Sequence, residues 1–216
     1  MLWGLVKRRT CVLPTWRGWL ALLFLAGTLV FGVGRHAHSF LAQVEPVLGG
    51  ILVVEGWAPD YAMAQTAAEF KRHAYTRLYV TGGPLEAGTP LAEYKTYAQR
   101  GAAILLKMGL TTNEIEAVPA EAVRQDRTYA AAMALSAYLR QHGGIPERVH
   151  LITEGPHARR SRLLLQMALG KEARVGVTAI PVHDYDPDRW WQSSAGVRGV
   201  VGEAIAYTYA RFLFRP

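Results

Sequence analysis

Between residues 149 and 169 a short apolar run is joined to an apolar-periodic one by Glu154-Gly155-Pro156-His157-Ala158-Arg159-Arg160-Ser161. The first run reads as a buried strand at 149–153 and the second as a helix over 161–169. The polar residues therefore fall where a strand ends and a helix begins, the place where α/β proteins bind ligands. Such a helix start offers unpaired N–H groups and partial positive charge, and two arginines there oppose the dipole unless something anionic compensates. The segment suits an anion; the plainer alternative is that Arg159 and Arg160 are solvated or pair with nearby acids. At helical spacing His157, Arg160 and Ser161 share a face. Beside two guanidinium groups and a positive helix end, His157 is expected to be neutral and able to accept a proton. Arg160 would then hold a phosphate or carboxylate next to it, an arrangement for hydrolysis or transfer at a phosphate ester. Otherwise His157 caps the helix or bonds a backbone carbonyl.

Comparable residues follow the other apolar runs: Glu55-Gly56-Trp57, Thr81-Gly82-Gly83, Arg124-Gln125-Asp126-Arg127-Thr128 and His183-Asp184. Glu55 and Glu154 follow strands at the same edge and form either an acid/base pair, a cation site, or ion pairs with Arg124, Arg127 or Arg159. Glu93 and Glu203 lie inside apolar helical patterns, as buried partners for an arginine or as site residues. Gly82 and Gly83 let backbone approach a ligand or simply make the turn. Glu55-Gly56-Trp57-Ala58-Pro59-Asp60 is not a dinucleotide fingerprint, which would need G-x-G-x-x-G. No cofactor is assigned. Asp184, Asp186 and Asp188 alternate like the start of a calcium loop, but Arg189 stands where its Gly belongs and Ala195 where its Glu belongs. That loop reads as structural or as a lid, and no metal ligands are assigned.

These residues need elements to gather them. Apolar runs at 51–54, 77–81, 115–118, 149–153 and 174–180 alternate with helical patterns at 61–74, 91–108, 128–140, 161–169 and 197–214. Strands apolar throughout and alternating with helices predict an α/β fold, a parallel sheet of about five strands covered on both faces, Rossmann-like with three α/β/α layers. Right-handed crossovers then bring every strand's carboxyl end to one edge, where the polar residues converge.

Residues 18–34 contain no charged side chain and span roughly 25 Å as a helix, enough for one transmembrane segment. Lys7, Arg8, Arg9 and Arg17 precede it and only Arg35 follows closely, which places the N-terminus in the cytoplasm and the rest of the chain outside. A cleaved signal peptide is the rival; the run is longer than its usual apolar region and 35–39 is a poor cleavage site. The expected organisation is a basic cytoplasmic N-terminus at 1–17, an anchor at 18–34, a linker at 35–49 and one domain at 50–216, on the outer side of a bacterial plasma membrane. Of the 24 basic residues, removing those four leaves 20 against 17 acidic ones, a balance of +3. No basic stripe with interleaved aromatics remains, so nucleic acid is not an expected partner. Cys11 is the single cysteine, so the outer domain has neither a disulfide nor a cysteine metal site. Trp190-Trp191 and the aromatic, basic stretch at 207–215 either pack the last helix or rest on the outer leaflet.

The order of these features resembles the YdcF-like family, the SanA and ElyC type of envelope protein, over roughly residues 50–209. The resemblance rests on Gly56 after the first strand, Thr81-Gly82-Gly83 after the second, and Glu93 in the next helix. It extends to Arg127-Thr128 opening a helix, Thr153 with His157 and Arg160, and Glu203 in the last helix. It differs in having Tyr129-Ala130-Ala131-Ala132 where the family commonly has an Asn. The resemblance implies a Rossmann-like domain behind one membrane helix, active in cell-envelope and peptidoglycan biogenesis. Combined with the phosphate-suited crevice, it suggests an anionic, polyprenyl-phosphate-linked glycan intermediate as ligand. His157 with Glu55 or Glu154 would do acid/base work; Arg160 and Arg127 would clamp phosphate. A non-catalytic scaffold for envelope synthesis enzymes, and a nucleotide or S-adenosylmethionine site, are the alternatives.

Overall fold

The computed structural model describes residues 14–86 and 92–216. The expected cytoplasmic segment up to residue 13, with Lys7, Arg8, Arg9 and Cys11, lies outside them. The chain divides into two compact units between His36 and Ala37. In the first, helix α1 (Trp16–Leu41) begins; it is long and apolar enough to cross a membrane. It extends beyond the expected 18–34, and its last turn belongs to the second unit. Residues 35–49 are thus no simple linker: they hold the end of α1 and the short strand β1 (Val44–Glu45).

The second unit alternates β2 (Ile51–Glu55), α2 (Asp60–Arg72), β3 (Arg77–Gly82), α3 (Tyr97–Lys107), β4 (Ile115–Pro119), α4 (Arg127–Gln141), β5 (Arg148–Glu154), α5 (Ala158–Leu169), β6 (Arg174–Ile180) and α6 (Ser194–Phe212). The result is a mixed α/β unit whose six-stranded sheet runs β1-β6-β5-β2-β3-β4. Five strands are parallel, and β1 adds an antiparallel edge strand on β6 that the sequence reading did not anticipate. Counting only the parallel strands, the order is 3-2-1-4-5, so successive crossovers run in opposite directions on either side of the β2/β5 boundary.

Side-chain alternation builds two cores from one strand. Ile51 and Val53 pack with Leu151 and Val177 against Leu135 of α4 and Leu165 of α5. Leu52 and Val54 face the other way, with Leu78 and Val80, toward Met63 of α2 and Leu105 of α3. All five residues of β2 are buried, as a central parallel strand covered on both faces requires. His150 is wholly buried in β5, with its two ring nitrogens bonded to the Tyr75 hydroxyl and, at 2.8 Å, to Thr178 Oγ1.

The expected helix at 91–108 begins later, at Tyr97; residue 91 is outside the described residues. Thr96 closes a capping box, its hydroxyl accepting from the Gln99 N–H at 3.2 Å while the Gln99 side chain accepts from the Thr96 N–H. Glu93 therefore precedes the helix, where it is exposed instead of set in an apolar helical face.

Candidate functional site

Strand register sets which carboxylates can meet. Glu55 ends β2 on the face shared by Ile51 and Val53, and Thr153 of β5 points the same way. Its neighbour Glu154 must point to the opposite face. Accordingly Thr153 Oγ1 donates to Glu55 Oε2, while Glu154 accepts from the Tyr61 hydroxyl on the α2 side, where the ring of His183 stacks on Tyr61 at 3.7 Å. The expected pairing of Glu55 with Glu154 does not form, because adjacent strand positions face opposite sides of the sheet.

Gly155 follows at φ +47°, a left-handed conformation in which a Cβ would also lie 2.5 Å from Val182 Cγ1. The chain thereby turns through the short 3-10 segment Gly155–His157 and runs directly into α5. This places His157 over the end of β2. Its Nε2 lies 3.4 Å from Glu55 Oε1, and its Nδ1 lies 2.8 Å from Glu203 Oε1 on α6. Arg160, one turn along α5, donates from Nε to Glu203 Oε2 at 2.8 Å and from Nη2 to Oε1 at 2.9 Å. Arg160 Nη1 also donates to Thr128 Oγ1 at 3.1 Å. Ser161, on the same face, donates to Glu55 Oε1 at 3.0 Å. The edge of Trp57 meets the imidazole with ring centroids 5.0 Å apart.

The quartet Glu55, His157, Glu203 and Arg160 is charge-neutral when every member is ionised, the condition under which charges can be buried together. Burial by itself would discharge His157, but the Glu55 charge beside Nε2 and the Glu203 bond to Nδ1 outweigh it and push the imidazole up to about 9. Burial likewise works against the Glu203 charge, and the bonds from His157 and Arg160 hold that carboxyl down at about 2. Glu55 is brought below its ordinary value by the His157 charge and the bonds it accepts, again against desolvation. The expectation of a neutral, proton-accepting His157 is corrected: two carboxylates outweigh the helix end and the guanidinium. Nδ1 lies within reach of both Glu203 Oε1 and, at 2.9 Å, Arg160 Nη2, while Nε2 faces Glu55.

The arginines are corrected too. Arg160 is bidentate to Glu203, which resolves Glu203 as a buried ion-pair partner, so Arg160 is not free to clamp an anion. Arg159 donates from Nε to the Phe40 carbonyl and lies 3.9 Å from the Phe40 ring centroid. Arg127 is two-thirds exposed and paired with Glu86.

Above the quartet opens a cleft of about 700 Å³, reached by Glu55, Thr81, Gly82, Gly83, Arg127, Thr128, His157 and Arg160 among the expected residues. Its wall includes the first turn of α4, which carries no acidic residue and no side-chain cap. Sequence reasoning missed Tyr97, Arg100 and Glu121, which also line the cleft. Gly56 lies outside that lining and serves packing instead: a Cβ there would sit 2.2 Å from the Tyr97 carbonyl oxygen. Gly82 is similarly crowded by Tyr97 Cβ, at 2.7 Å, although it also borders the cleft. Glu93 is not among the cleft residues. In the loop with three aspartates, Asp186 caps the short 3-10 segment Pro187–Gln192, accepting from the Asp188 N–H at 2.8 Å. Among the described residues no group of His, Cys, Asp and Glu is arranged to hold a metal ion.

Fold and site together define a class: a mixed α/β protein with an N-terminal helix able to cross a membrane and a charged cleft where its crossovers change direction. No family model and no curated protein matches the chain.

Proposed function

We propose that this chain is a membrane-anchored protein of cell-envelope biogenesis, with a Rossmann-like, YdcF-like domain outside the plasma membrane. In this reading its cleft binds an anionic, polyprenyl-phosphate-linked glycan intermediate and acts on the phosphate ester. The observation that carries the reading is the position of His157, held between Glu55 and Glu203 at the floor of the cleft. It lies at the carboxyl ends of β2 and β5, where the strand order reverses, the ligand position of open α/β sheets.

With both ring nitrogens facing carboxylates, a buried imidazolium suits stabilisation of negative charge developing in the cleft, rather than the proton abstraction first expected. Glu55 orients it from Nε2 and Glu203 from Nδ1. Arg100 borders the cleft and supplies positive charge to a phosphate, which Arg127 also does by exchanging its exposed Glu86 partner for it, and the uncapped start of α4 adds N–H donors. Glu154 takes no part.

One observation favours recognition without turnover as a second reading: the quartet satisfies its own charges and leaves no basic group free to activate a nucleophile. Calorimetric titration of the full chain in detergent with a short-chain polyprenyl phosphate, beside an assay for release of a water-soluble glycan or glycosyl phosphate from the corresponding polyprenyl diphosphate glycan, separates the two. Binding with release supports processing, and binding without release supports recognition. No binding refutes both.

A further inference from the structure

The last helix has its apolar residues on the wrong side for a helix that serves only the core. In α6, Val197, Val201, Ile205, Tyr209 and Phe212, with Leu213 just beyond its end, are 40–75% exposed. Their spacing of three and four residues lines them along one face. The inward face contributes only Val200 and Ala210 to the buried core and sends Glu203 to the quartet. A contiguous exposed apolar stripe on one element marks a surface that is covered in use.

We propose that this face of α6 lies on the lipid surface of the membrane that α1 enters. Three observations choose lipid over another occupant. The first is continuity: Ala37 and Leu41, where the chain enters this unit, cluster with Val200, Ala204 and Tyr207 of α6. Arg159 fastens the same junction, its guanidinium over the rings of Phe40 and Tyr207 and its Nε–H on the Phe40 carbonyl.

Charge is the second. Arg198, Arg211 and Arg215 are exposed along this stretch, whereas its single acid, Glu203, is turned inward. Cations beside an apolar face, with Tyr and Phe in it, match the composition of helices lying in an interface with anionic headgroups. The third is that an isologous contact with a second copy would set these arginines against their own kind with no carboxylate to pair them. This inference rests on α1 being a membrane anchor.

The test uses the full chain with Cys11→Ser, carrying one nitroxide label at Ile205→Cys, Leu25→Cys or Lys107→Cys, in nanodiscs containing phosphatidylglycerol. Collision with oxygen, which concentrates in lipid, is compared with collision with a water-soluble nickel complex. The expected result is an oxygen-to-nickel ratio at residues 25 and 205 several-fold above that at residue 107 on α3. A lipid-like ratio at 25 with a water-like ratio at 205 overturns the α6 proposal alone. A water-like ratio at 25 overturns the anchor reading and this proposal with it. Spin–spin broadening at 205 that disappears on dilution with unlabelled chain assigns the face to a second copy and also overturns it. Ile205→Asp, at a position two-thirds exposed, gives a second readout in the full chain. It should keep its thermal unfolding midpoint in detergent and lose protection of the α6 amides from hydrogen exchange in the nanodisc. Unchanged protection contradicts lipid contact.

Discussion

His157 Nδ1 lies 2.8 Å from Glu203 Oε1, joining the start of α5 to the middle of α6 across 46 residues of sequence. Because Arg160 grips both oxygens of the same carboxylate, Glu203 is a fixed acceptor and the orientation of the imidazole follows from it. One of the two carboxylates that set the charge of the cleft floor is therefore on a helix remote from any strand end.

Replacing Glu203 by Gln retains hydrogen bonding but removes the charge. The His157 titration midpoint, about 9 in the intact protein, should fall by roughly 1–3 pH units, the usual effect of losing one adjacent opposite charge. Ring-proton NMR over pH 5 to 10 checks this, with His157→Gln identifying the resonance. A midpoint that stays near 9 would leave Glu55 as the sole cause.

Stability should depend on pH in two directions. His157 holds its proton more tightly in the folded chain, at about 9 against an ordinary 6.5. Its contribution is complete below pH 6.5 and is lost as pH rises through 9, on the order of 3 kcal/mol for that displacement. Glu203, at about 2 against 4.5, contributes above pH 4.5 and loses that contribution as pH falls toward 2. Buried His150 is lowered, first by desolvation, and so also favours unfolding as pH falls below 6.5. Thermal unfolding across pH should trace a dome, and His157→Gln should flatten its alkaline side. Both limbs unchanged in that variant would show that the quartet is not ionised as described.

Much of the sheet was legible because parallel strands buried on both faces are largely apolar: Ile51 to Val54 is wholly so, and Val149 to Thr153 is broken only by His150 and Thr153. The order of helices and strands followed from that. The start of α3 was signalled by Thr96 and Gln99, a capping pattern that the apolar periodicity from residue 91 obscured. In the site, His157, Thr153, Glu55, Arg160 and Glu203 were legible as a group, but their pairing was not. Which acid meets which base depends on strand register and on α6 crossing α5, neither of which leaves a mark in local sequence. The protonation of His157 was misjudged for that reason: the neighbouring arginine is visible in the chain, the two distant carboxylates are not.

Two glycines separate packing from ligand contact. Gly56→Ala drives a Cβ to 2.2 Å from the Tyr97 carbonyl oxygen, against backbone that cannot rotate away, and should cost about 3 kcal/mol, the upper end for overpacking. Gly83→Ala meets nothing nearer than 3.8 Å and should leave stability within about 0.5 kcal/mol, as surface changes do. Chemical denaturation of both variants measures this; similar losses would refute the packing role given to Gly56.

Within the β5 core, Tyr75→Phe removes the hydroxyl bonded to His150 Nδ1 and leaves that nitrogen buried without this partner. The expected loss is about 1–3 kcal/mol. Thr178→Val, which strips the bond to Nε2, should cost a similar amount, and denaturant midpoints decide. No loss in either variant would mean that the His150 bonds do not support the sheet.

The most direct test of the cleft as the ligand site is thermal unfolding of the full chain in detergent with and without a short-chain polyprenyl phosphate, in wild type and Ala131→Trp. Ala131 lines the cleft and is partly exposed, so the indole would fill ligand space. At a hundred times its dissociation constant, ligand should stabilise the wild type by about 2.7 kcal/mol, raising its unfolding midpoint, and should leave Ala131→Trp unmoved. An equal rise in both proteins, or none in the wild type, would contradict the assignment.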